Sequence, residues 1–283
     1  MKNERKLAVI TGAASGIGLA LVKECIAQAM DVVMVDNADH ILAEQVSQVK
    51  KSAVTEVIGF TCDVAQVSEV QQLAQQVFHQ FERVDLLINN AGISGQLAPI
   101  WQMPLEQVHR VLDVNLYGVI HGVQAFLPRM LQQQGRSQLV NMASVYGLCS
   151  GSQMSAYAMS KHAVVALSES LYFDLQRMAL PVDVSVVCPS FVDTRLLVNS
   201  KPSEANKLHD LLTSMVSHSR SAEAVAAAIM REIIQKKFYI LPDKEVKNYC
   251  EARVEAIVAQ NPPSEHSLEK VIAALSLRAE QSK

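Results

Sequence analysis

Short apolar runs alternate with longer stretches of helical periodicity along most of this chain. Seven runs of four to seven residues are rich in valine, isoleucine and leucine, at residues 7–10, 31–35, 56–61, 84–88, 139–143, 182–188 and 237–241. Nearly continuous apolar runs of this length are typical of strands buried on both faces of a parallel sheet. The pattern therefore predicts seven strands.

Between these runs, apolar residues recur every three or four positions, which predicts helices with one buried face. The helical patterns follow the first run and cover residues 67–81, 104–131, 155–179 and 221–235. Because strand and helix alternate, we expect a doubly wound α/β fold of the Rossmann type, with a mostly parallel seven-stranded sheet between two helical layers. Ligands of such sheets bind at the carboxyl ends of the strands.

The chain length fits one large core. With 283 residues, of which 49% are hydrophobic, we expect a single α/β domain over residues 1–245. Residues 246–283 are predicted to be a helical extension of that domain. They contain a break at Pro262 and Pro263, followed by an amphipathic stripe of Leu268, Ile272 and Leu275.

Composition excludes several kinds of partner. The net charge is −3 and the basic residues are scattered, so we expect no nucleic acid partner, and no apolar stretch is long enough to predict a membrane span. Five widely spaced cysteines predict reduced thiols and a cytoplasmic location. The eight histidines show no metal-ligand spacing, so no metal site is predicted.

Three reactive side chains follow the run at 139–143. That strand would end at Ser144, and the helix from residue 155 places Tyr157 and Lys161 on one face, four residues apart. At about 4 Å and an effective dielectric near 20, the lysine would stabilise a phenolate by roughly 4 kcal/mol, which is about three pKa units. We therefore expect Lys161 to bring the pKa of Tyr157 close to the physiological range. A Tyr-x-x-x-Lys pair alone is usually an ordinary pair on a solvated helix face, so its interpretation depends on the other motifs.

A glycine-rich turn follows the first strand and precedes a helix. Such a turn presents backbone N–H groups to a pyrophosphate, and the residues predicted to bind it are Gly12, Ser15, Gly16, Ile17 and Gly18. Asp36 ends the second strand, where a carboxylate would meet the adenosine ribose hydroxyls. Each of these features alone could be an ordinary turn.

Together these motifs resemble the short-chain dehydrogenase/reductase family over about residues 5–245. The resemblance implies Ser144, Tyr157, Lys161 and Asn115 as the catalytic residues, with Asn115 holding a water beside the lysine; a helix-bending asparagine is the alternative. It also implies further cofactor contacts, with Tyr157 and Lys161 among them, from Asp63, Val64, Asn90, Ala91, Gly92, Val192 and Thr194. Ser190 departs from the family, which usually has glycine there.

The implied activity is hydride transfer between a nicotinamide cofactor and a ketone or secondary alcohol of small size. NAD is expected over NADP, because Asp36 would repel a 2′-phosphate and neither Ser15 nor Asn37 offers a cation. Residues 196–219 and the chain beyond Pro242 suggest an apolar substrate. The alternative is a catalytically silent NAD(H)-sensing protein on the same fold, whereas a serine hydrolase is excluded because Ser144 lacks a Gly-x-Ser-x-Gly context.

The two longest helical patterns have more apolar positions than one core face uses. Ala156, Val164 and Phe173 are the examples on the second of them. A homodimer or homotetramer that pairs these helices is therefore predicted.

Overall fold

The structure, a computed structural model, describes residues 5–194, 196 and 207–281. Its strands are Leu7–Thr11 (β1), Asp31–Asp36 (β2), Val57–Thr61 (β3), Leu86–Asn89 (β4), Ser137–Met142 (β5), Val182–Val187 (β6), Val192–Asp193 (β7), Arg220–Ser221 (β8) and Tyr239–Ile240 (β9). Seven of them form one sheet in the order β3-β2-β1-β4-β5-β6-β9, and every pairing is parallel. The predicted seven-stranded α/β fold is confirmed.

Helices cover both faces of this sheet. They are Gly16–Ala27 (α1), Asp39–Lys50 (α2), Val67–Phe81 (α3), Leu105–Leu112 (α4), Gly118–Met130 (α5), Ser155–Arg177 (α6), Lys207–Val216 (α7), Ala222–Ile234 (α8), Glu245–Val258 (α9) and Ser267–Gln281 (α10). One core joins α1 and α8 to the sheet, and a second joins α3 and α5 to the opposite face. The strand order reverses between β1 and β4, which opens the crevice where ligands bind in such folds.

The predicted helix over residues 104–131 is interrupted. A π-helical turn at Asp113–Tyr117 separates α4 from α5, and Asn115 lies at its centre with no exposed surface. π-turns inside helices are frequent at functional sites. In the sequence, this asparagine is the polar residue that interrupts the apolar pattern of the predicted helix.

The last two helices pack on the substrate side of the fold. Leu268, Ile272 and Leu275 are buried, as their spacing predicted, in a cluster that also contains Tyr146 and Leu212. The predicted break lies between α9 and α10. This packing explains why the stripe is apolar, and it shows that the stripe faces inward.

Two expectations about exposed apolar positions differ from the structure. Ala156 and Val164 are both buried within their own chain, so they were wrongly assigned to a free face. Ala156 packs with α4, and Val164 packs with Val119 and Val186. Phe173, by contrast, has 68% of its surface exposed.

Among the helices within the described ranges, none combines the length and the apolar character that a membrane span requires.

Candidate active site

The glycine turn after β1 has a conformation and spacing that side chains would prevent. Gly12 and Gly16 have positive φ angles of 64° and 53°, which glycine adopts without strain. A Cβ on Gly18 would lie 2.0 Å from the carbonyl oxygen of Gly12. The first turn of α1 can therefore pack closely against the loop, as in the glycine turns that bind a pyrophosphate on backbone N–H groups.

Thr11 and Asn90 join this turn to the end of β4. The Thr11 hydroxyl accepts hydrogen bonds from the backbone N–H groups of Asn90 and Ala91, at 2.9 and 3.0 Å. In return, Nδ2 of Asn90 donates to the carbonyl of Thr11 at 2.8 Å. A Cβ on Gly12 would also lie 2.9 Å from Cα of Ala91. The hydrogen bonds between Asn90 and Thr11 thus fix the glycine turn. Thr11 is a positioning residue that the sequence analysis did not identify.

The carboxylate of Asp36 also holds the turn in place. Its Oδ2 accepts from the N–H of Ala14 at 3.0 Å, and its Oδ1 accepts from the N–H of Ala38 at 3.0 Å. Each oxygen retains acceptor capacity, because a carboxylate offers about four lone-pair sites. The side chain lines the cavity and can accept further hydrogen bonds from ribose hydroxyls.

Asp63 and Val64 form the neighbouring wall at the end of β3. Oδ1 of Asp63 accepts from the N–H of Ala65 at 3.0 Å, which closes a local turn. His121 Nδ1 donates to the carbonyl of Val64 at 2.9 Å. Asp63 and Val64 line the same cavity as Asp36.

Ser144 and Tyr157 face each other across the end of β5. Ser144 begins a short 3₁₀ turn, and its hydroxyl accepts from the N–H of Tyr146 at 3.2 Å. Burial raises the pKa of Tyr157 to about 12, and a hydrogen bond with Ser144 acts in the opposite direction. Near neutral pH, Tyr157 is therefore a phenol.

Lys161 lies one helical turn beyond the tyrosine. Its Nζ donates to the carbonyl of Met142 at 2.9 Å and lies 5.7 Å from the centre of the Tyr157 ring. Burial lowers the pKa of Lys161 to about 8. The expectation that this lysine alone brings the pKa of Tyr157 near the physiological range is wrong, because burial raises that pKa and the group that lowers it is Ser144, through its hydrogen bond.

Asn115 supports the site from behind rather than lining it. Its Oδ1 accepts from the N–H of Ile93 at 2.8 Å, and its Nδ2 donates to the Ile93 carbonyl and to the Ser160 hydroxyl at 2.9 and 3.1 Å. A Cβ on Gly92 would lie 3.2 Å from Asn115 Oδ1 and 3.5 Å from Lys161 Nζ. The asparagine therefore fixes the backbone beside the lysine, and its part in a water relay stays a prediction.

Ser190, where the family usually has glycine, has an ordinary backbone conformation with no positive φ. Its N–H donates to Oδ2 of the buried Asp243 at 2.8 Å, and Oδ1 of that aspartate binds Arg220 at 2.6 Å. The paired β7 and β8, which were too short to predict from periodicity, lie beside this linkage. Serine is therefore accommodated without strain at this position.

One cavity of about 880 Å³ joins these features. It is lined by every predicted site residue except Asn115, which means Gly12, Ser15, Gly16, Ile17, Gly18, Asp36, Asp63, Val64, Asn90, Ala91, Gly92, Ser144, Tyr157, Lys161, Val192 and Thr194. The charged residues among the described lining are Asp36, Asp63, Glu106, Arg110, Asp113 and Lys161. Around Tyr157 the lining is mostly apolar: Leu212 and Val216 belong to the region 196–219 that the sequence predicted there, whereas Tyr146, Met154 and Phe191 were not predicted.

Part of the predicted substrate loop lies outside the described residues, since residues 197–206 are not described. The expectation that the chain beyond Pro242 contributes apolar side chains to the cavity is wrong for the described part of that segment. Among the described residues, none beyond Val216 lines the cavity. Leu268, Ile272 and Leu275 are instead buried one layer behind the cavity wall.

In the part of the chain that the structure describes, no three histidine, cysteine or acidic side chains converge as they would around a metal ion.

Comparison with known proteins gives a consistent result. A family model described as short chain dehydrogenase matches residues 6–205. The chain is 35% identical over 244 residues to a 1-deoxy-11-beta-hydroxypentalenate dehydrogenase of Streptomyces avermitilis, covering 85% of each protein. It is also 28% identical over 282 residues to a CLA biosynthesis dehydrogenase/reductase of Lactiplantibacillus plantarum, covering 94% of this chain and 98% of that protein.

A solved structure agrees along nearly the whole chain. The crystal structure of a short chain dehydrogenase/reductase from Burkholderia phymatum in complex with NAD matches with a TM-score of 0.87 and 34% identity, covering 94% of this chain and 99% of that one. The resemblance inferred from the sequence is confirmed. This chain is a member of the short-chain dehydrogenase/reductase family and an NAD(P)-dependent oxidoreductase.

Proposed function

We propose that the protein transfers a hydride between NAD(H) and the carbonyl or secondary alcohol carbon of a small apolar substrate. The observation that carries the proposal is the placement of Ser144, Tyr157 and Lys161 in one cavity with the glycine turn. The cofactor supplies or accepts the hydride at C4 of its nicotinamide ring. The residues of the chain bind, orient and exchange the proton.

In this proposal, Tyr157 is the general acid for reduction and the general base for oxidation. As a buried phenol, it donates its proton to the oxygen of a ketone at neutral pH. Ser144 holds the same oxygen by a hydrogen bond and so orients the carbonyl. Both hydroxyls lie at the end of β5, where the rigid sheet fixes their positions.

Lys161 binds the nicotinamide ribose and stabilises the phenolate when the proton has left. Its Nζ donates one hydrogen bond to the Met142 carbonyl, and its other donors can bind ribose hydroxyls. Asn115 acts as a positioning residue, since it fixes Ile93 beside this lysine. These assignments follow the roles that the family resemblance implies.

The preference for NAD rests on Asp36. Its carboxylate lines the cavity at the end of β2, while Ser15 and Asn37 on the same wall are neutral. A 2′-phosphate would bring up to two negative charges against this carboxylate. The relative from Burkholderia phymatum was solved with NAD, which supports the same choice.

An apolar substrate is supported by the cavity around Tyr157. The described residues that pack around it are mainly Tyr146, Met154, Phe191, Leu212 and Val216. The Streptomyces relative is named for a dehydrogenation of 1-deoxy-11-beta-hydroxypentalenate. We therefore propose alicyclic or aliphatic ketones and alcohols as the substrate class. A reducing compartment such as the cytoplasm is supported by five free cysteines, four of them buried.

The test is a cofactor absorbance assay at 340 nm with NAD(H) and NADP(H), over cyclic, steroid, fatty, sugar and short aliphatic ketones and alcohols. Turnover of apolar substrates with NAD(H) is expected, and the matched control is Tyr157→Phe. Turnover confined to sugars, or higher catalytic efficiency with NADP, would contradict the proposal. Tight NAD(H) binding with no turnover on any substrate would favour the NAD(H)-sensing alternative.

A further inference from the structure

The loop at residues 148–152 connects the turn that carries Ser144 to the helix that carries Tyr157. Side chains from α9, from the residue before α10 and from α10 itself bind its backbone at three points. Glu269 Oε2 accepts from the N–H of Ser152 at 2.7 Å, and His266 Nε2 donates to the carbonyl of Ser150 at 2.8 Å. Arg253 donates to the carbonyl of Leu148 at 3.5 Å. We call this set of contacts the tail clamp.

The clamp is itself held in one arrangement. Nδ1 of His266 accepts from the N–H of Glu269 at 3.2 Å, which fixes the ring so that Nε2 carries the proton given to Ser150. Beneath these polar contacts, Leu268 and Ile272 are buried in the cluster that contains Tyr157. Polar and apolar contacts therefore fix α10 against the catalytic side of the fold.

The clamped loop has no spare room at its centre. A Cβ on Gly151 would lie 2.9 Å from Glu269 Oε2 and 3.1 Å from Cε1 of Tyr146. The loop backbone is thus enclosed between the Glu269 carboxylate and the Tyr146 ring. A shift of Glu269 would free the loop to move away from that ring.

Two cavity-lining residues flank the clamped loop in the sequence. Tyr146 precedes it and packs edge-on to Tyr157, with 6.1 Å between ring centres, while Met154 follows it at the start of α6. No described residue of α9 or α10 lines the cavity itself. The tail therefore acts on the cavity through the walls it packs against, which are this loop and α7, whose Leu212 and Val216 line the cavity.

We propose that the tail clamp sets the position of the substrate-binding wall formed by Tyr146 and Met154, with Glu269 as its principal positioning residue. This inference rests on the proposed function, because it assigns the specificity of that same site to a segment outside the matched residues 6–205. The cofactor end of the cavity lies at other strands and is independent of the clamp.

The test compares Glu269→Ala with Glu269→Gln, and uses the exposed Glu265→Gln as a matched control. Glutamine retains an oxygen acceptor for the Ser152 N–H, whereas alanine leaves that donor without its partner. For Glu269→Ala we expect the KM of apolar ketones to rise roughly fivefold or more, since a hydrogen bond to a charged group is lost. The dissociation constant of NADH should stay within about twofold. Glu269→Gln should recover most of the KM, and Glu265→Gln should resemble the parent.

Hydrogen exchange provides a readout that needs no substrate. Peptides covering residues 148–154 should exchange faster in Glu269→Ala than in the parent, while peptides of β1 and β2 should be unchanged. Unchanged exchange in the loop would overturn the clamp. Faster exchange with an unchanged KM, or an equal weakening of NADH binding, would overturn its role in positioning the substrate wall.

If the parent turns over no ketone, the proposed function fails by itself. The positioning role is then measured by calorimetric binding of apolar ketones to the protein with NAD⁺, a combination that cannot react. Loss of ketone affinity in Glu269→Ala, with affinity retained in Glu269→Gln, supports the clamp. Equal affinity in all variants, including no binding in any of them, overturns its role.

Discussion

The ammonium of Lys161 lies 5.7 Å from the centre of the Tyr157 ring and donates a 2.9 Å hydrogen bond to the carbonyl of Met142. Both side chains are buried, so burial opposes the charged form of each. It raises the pKa of Tyr157 to about 12 and lowers the pKa of Lys161 to about 8. At neutral pH the site therefore contains a neutral phenol beside a lysine that is still mostly protonated.

Tyr157→Phe removes the phenolic proton assigned to the reaction while preserving the ring packing. We expect kcat to fall by roughly 10²- to 10⁴-fold, the usual contribution of a positioned acid or base. NADH affinity, measured by fluorescence titration, should change little, because the phosphates and the adenosine ribose bind elsewhere. Activity within tenfold of the parent, in a folded variant, would show that another group transfers the proton.

The raised pKa of Tyr157 predicts opposite pH dependences for the two reaction directions. Oxidation needs the phenolate, so its kcat/KM should rise as pH increases above neutral. Reduction needs the phenol and should lose activity at alkaline pH. Because the hydrogen bond with Ser144 lowers this pKa, Ser144→Ala should move both profiles to higher pH. Initial rates from pH 6 to 11 would test this, and coincident profiles for the two directions would contradict it.

Lys161→Met should inactivate the enzyme yet stabilise the ligand-free fold at neutral pH. The pKa of Lys161 falls from 10.5 in the unfolded chain to about 8 in the folded one, so the folded state disfavours the ammonium. Below pH 8 both states are protonated and the penalty, up to about 3 kcal/mol, is fully present. As pH rises from 8 to 10.5 the parent should gain stability and the advantage of methionine should shrink. Thermal unfolding at pH 7 and pH 10 measures both effects, and a lower Tm for the variant at pH 7 would contradict the prediction.

Asp36→Ala combined with Asn37→Arg should shift the cofactor preference from NAD towards NADP. At about 5 Å and an effective dielectric near 20, each phosphate charge facing Asp36 costs roughly 3 kcal/mol, or about half of that with salt screening at the surface. The parent should therefore favour NAD by more than tenfold in kcat/KM. Because Asp36 also binds the N–H groups of Ala14 and Ala38, the single Asp36→Ala variant is needed to separate lost stability from changed preference. Equal efficiency of the parent with both cofactors would refute this role of Asp36.

Phe173→Glu should disrupt a homo-oligomer built on α6. The ring is 68% exposed, and Met159 on the same helix is also exposed, so a partner helix could cover them. Light scattering should show the parent above its 31.0 kDa chain mass and the variant shifted towards that mass. Val54→Glu, at an 80% exposed loop position, is the matched control. A parent that is monomeric at micromolar concentration would contradict the prediction.

Local signals predicted much of the fold and of the cofactor site. Strand runs and glycine or asparagine motifs report directly on backbone geometry, as the positive φ of Gly12 and Gly16 illustrates. Long-range contacts could not be inferred in the same way. The bond between Thr11 and Asn90 joins residues 79 positions apart, and Tyr146 carries no periodic signal of its own. The pKa of Tyr157 was misjudged because burial raises it, and the burial of a side chain cannot be inferred from a four-residue spacing.

Because Asp243 lies just before α9, the tail that follows it could be exchanged between relatives without removing this aspartate. Its carboxylate joins the Ser190 loop after β6 to Arg220, so the core is complete only when this residue is present. A chain shortened at Pro242 would lose that carboxylate along with α9 and α10, whereas one ending after Lys244 would keep it. Chimeras joined at residue 244 would thus graft a foreign tail onto an intact catalytic core.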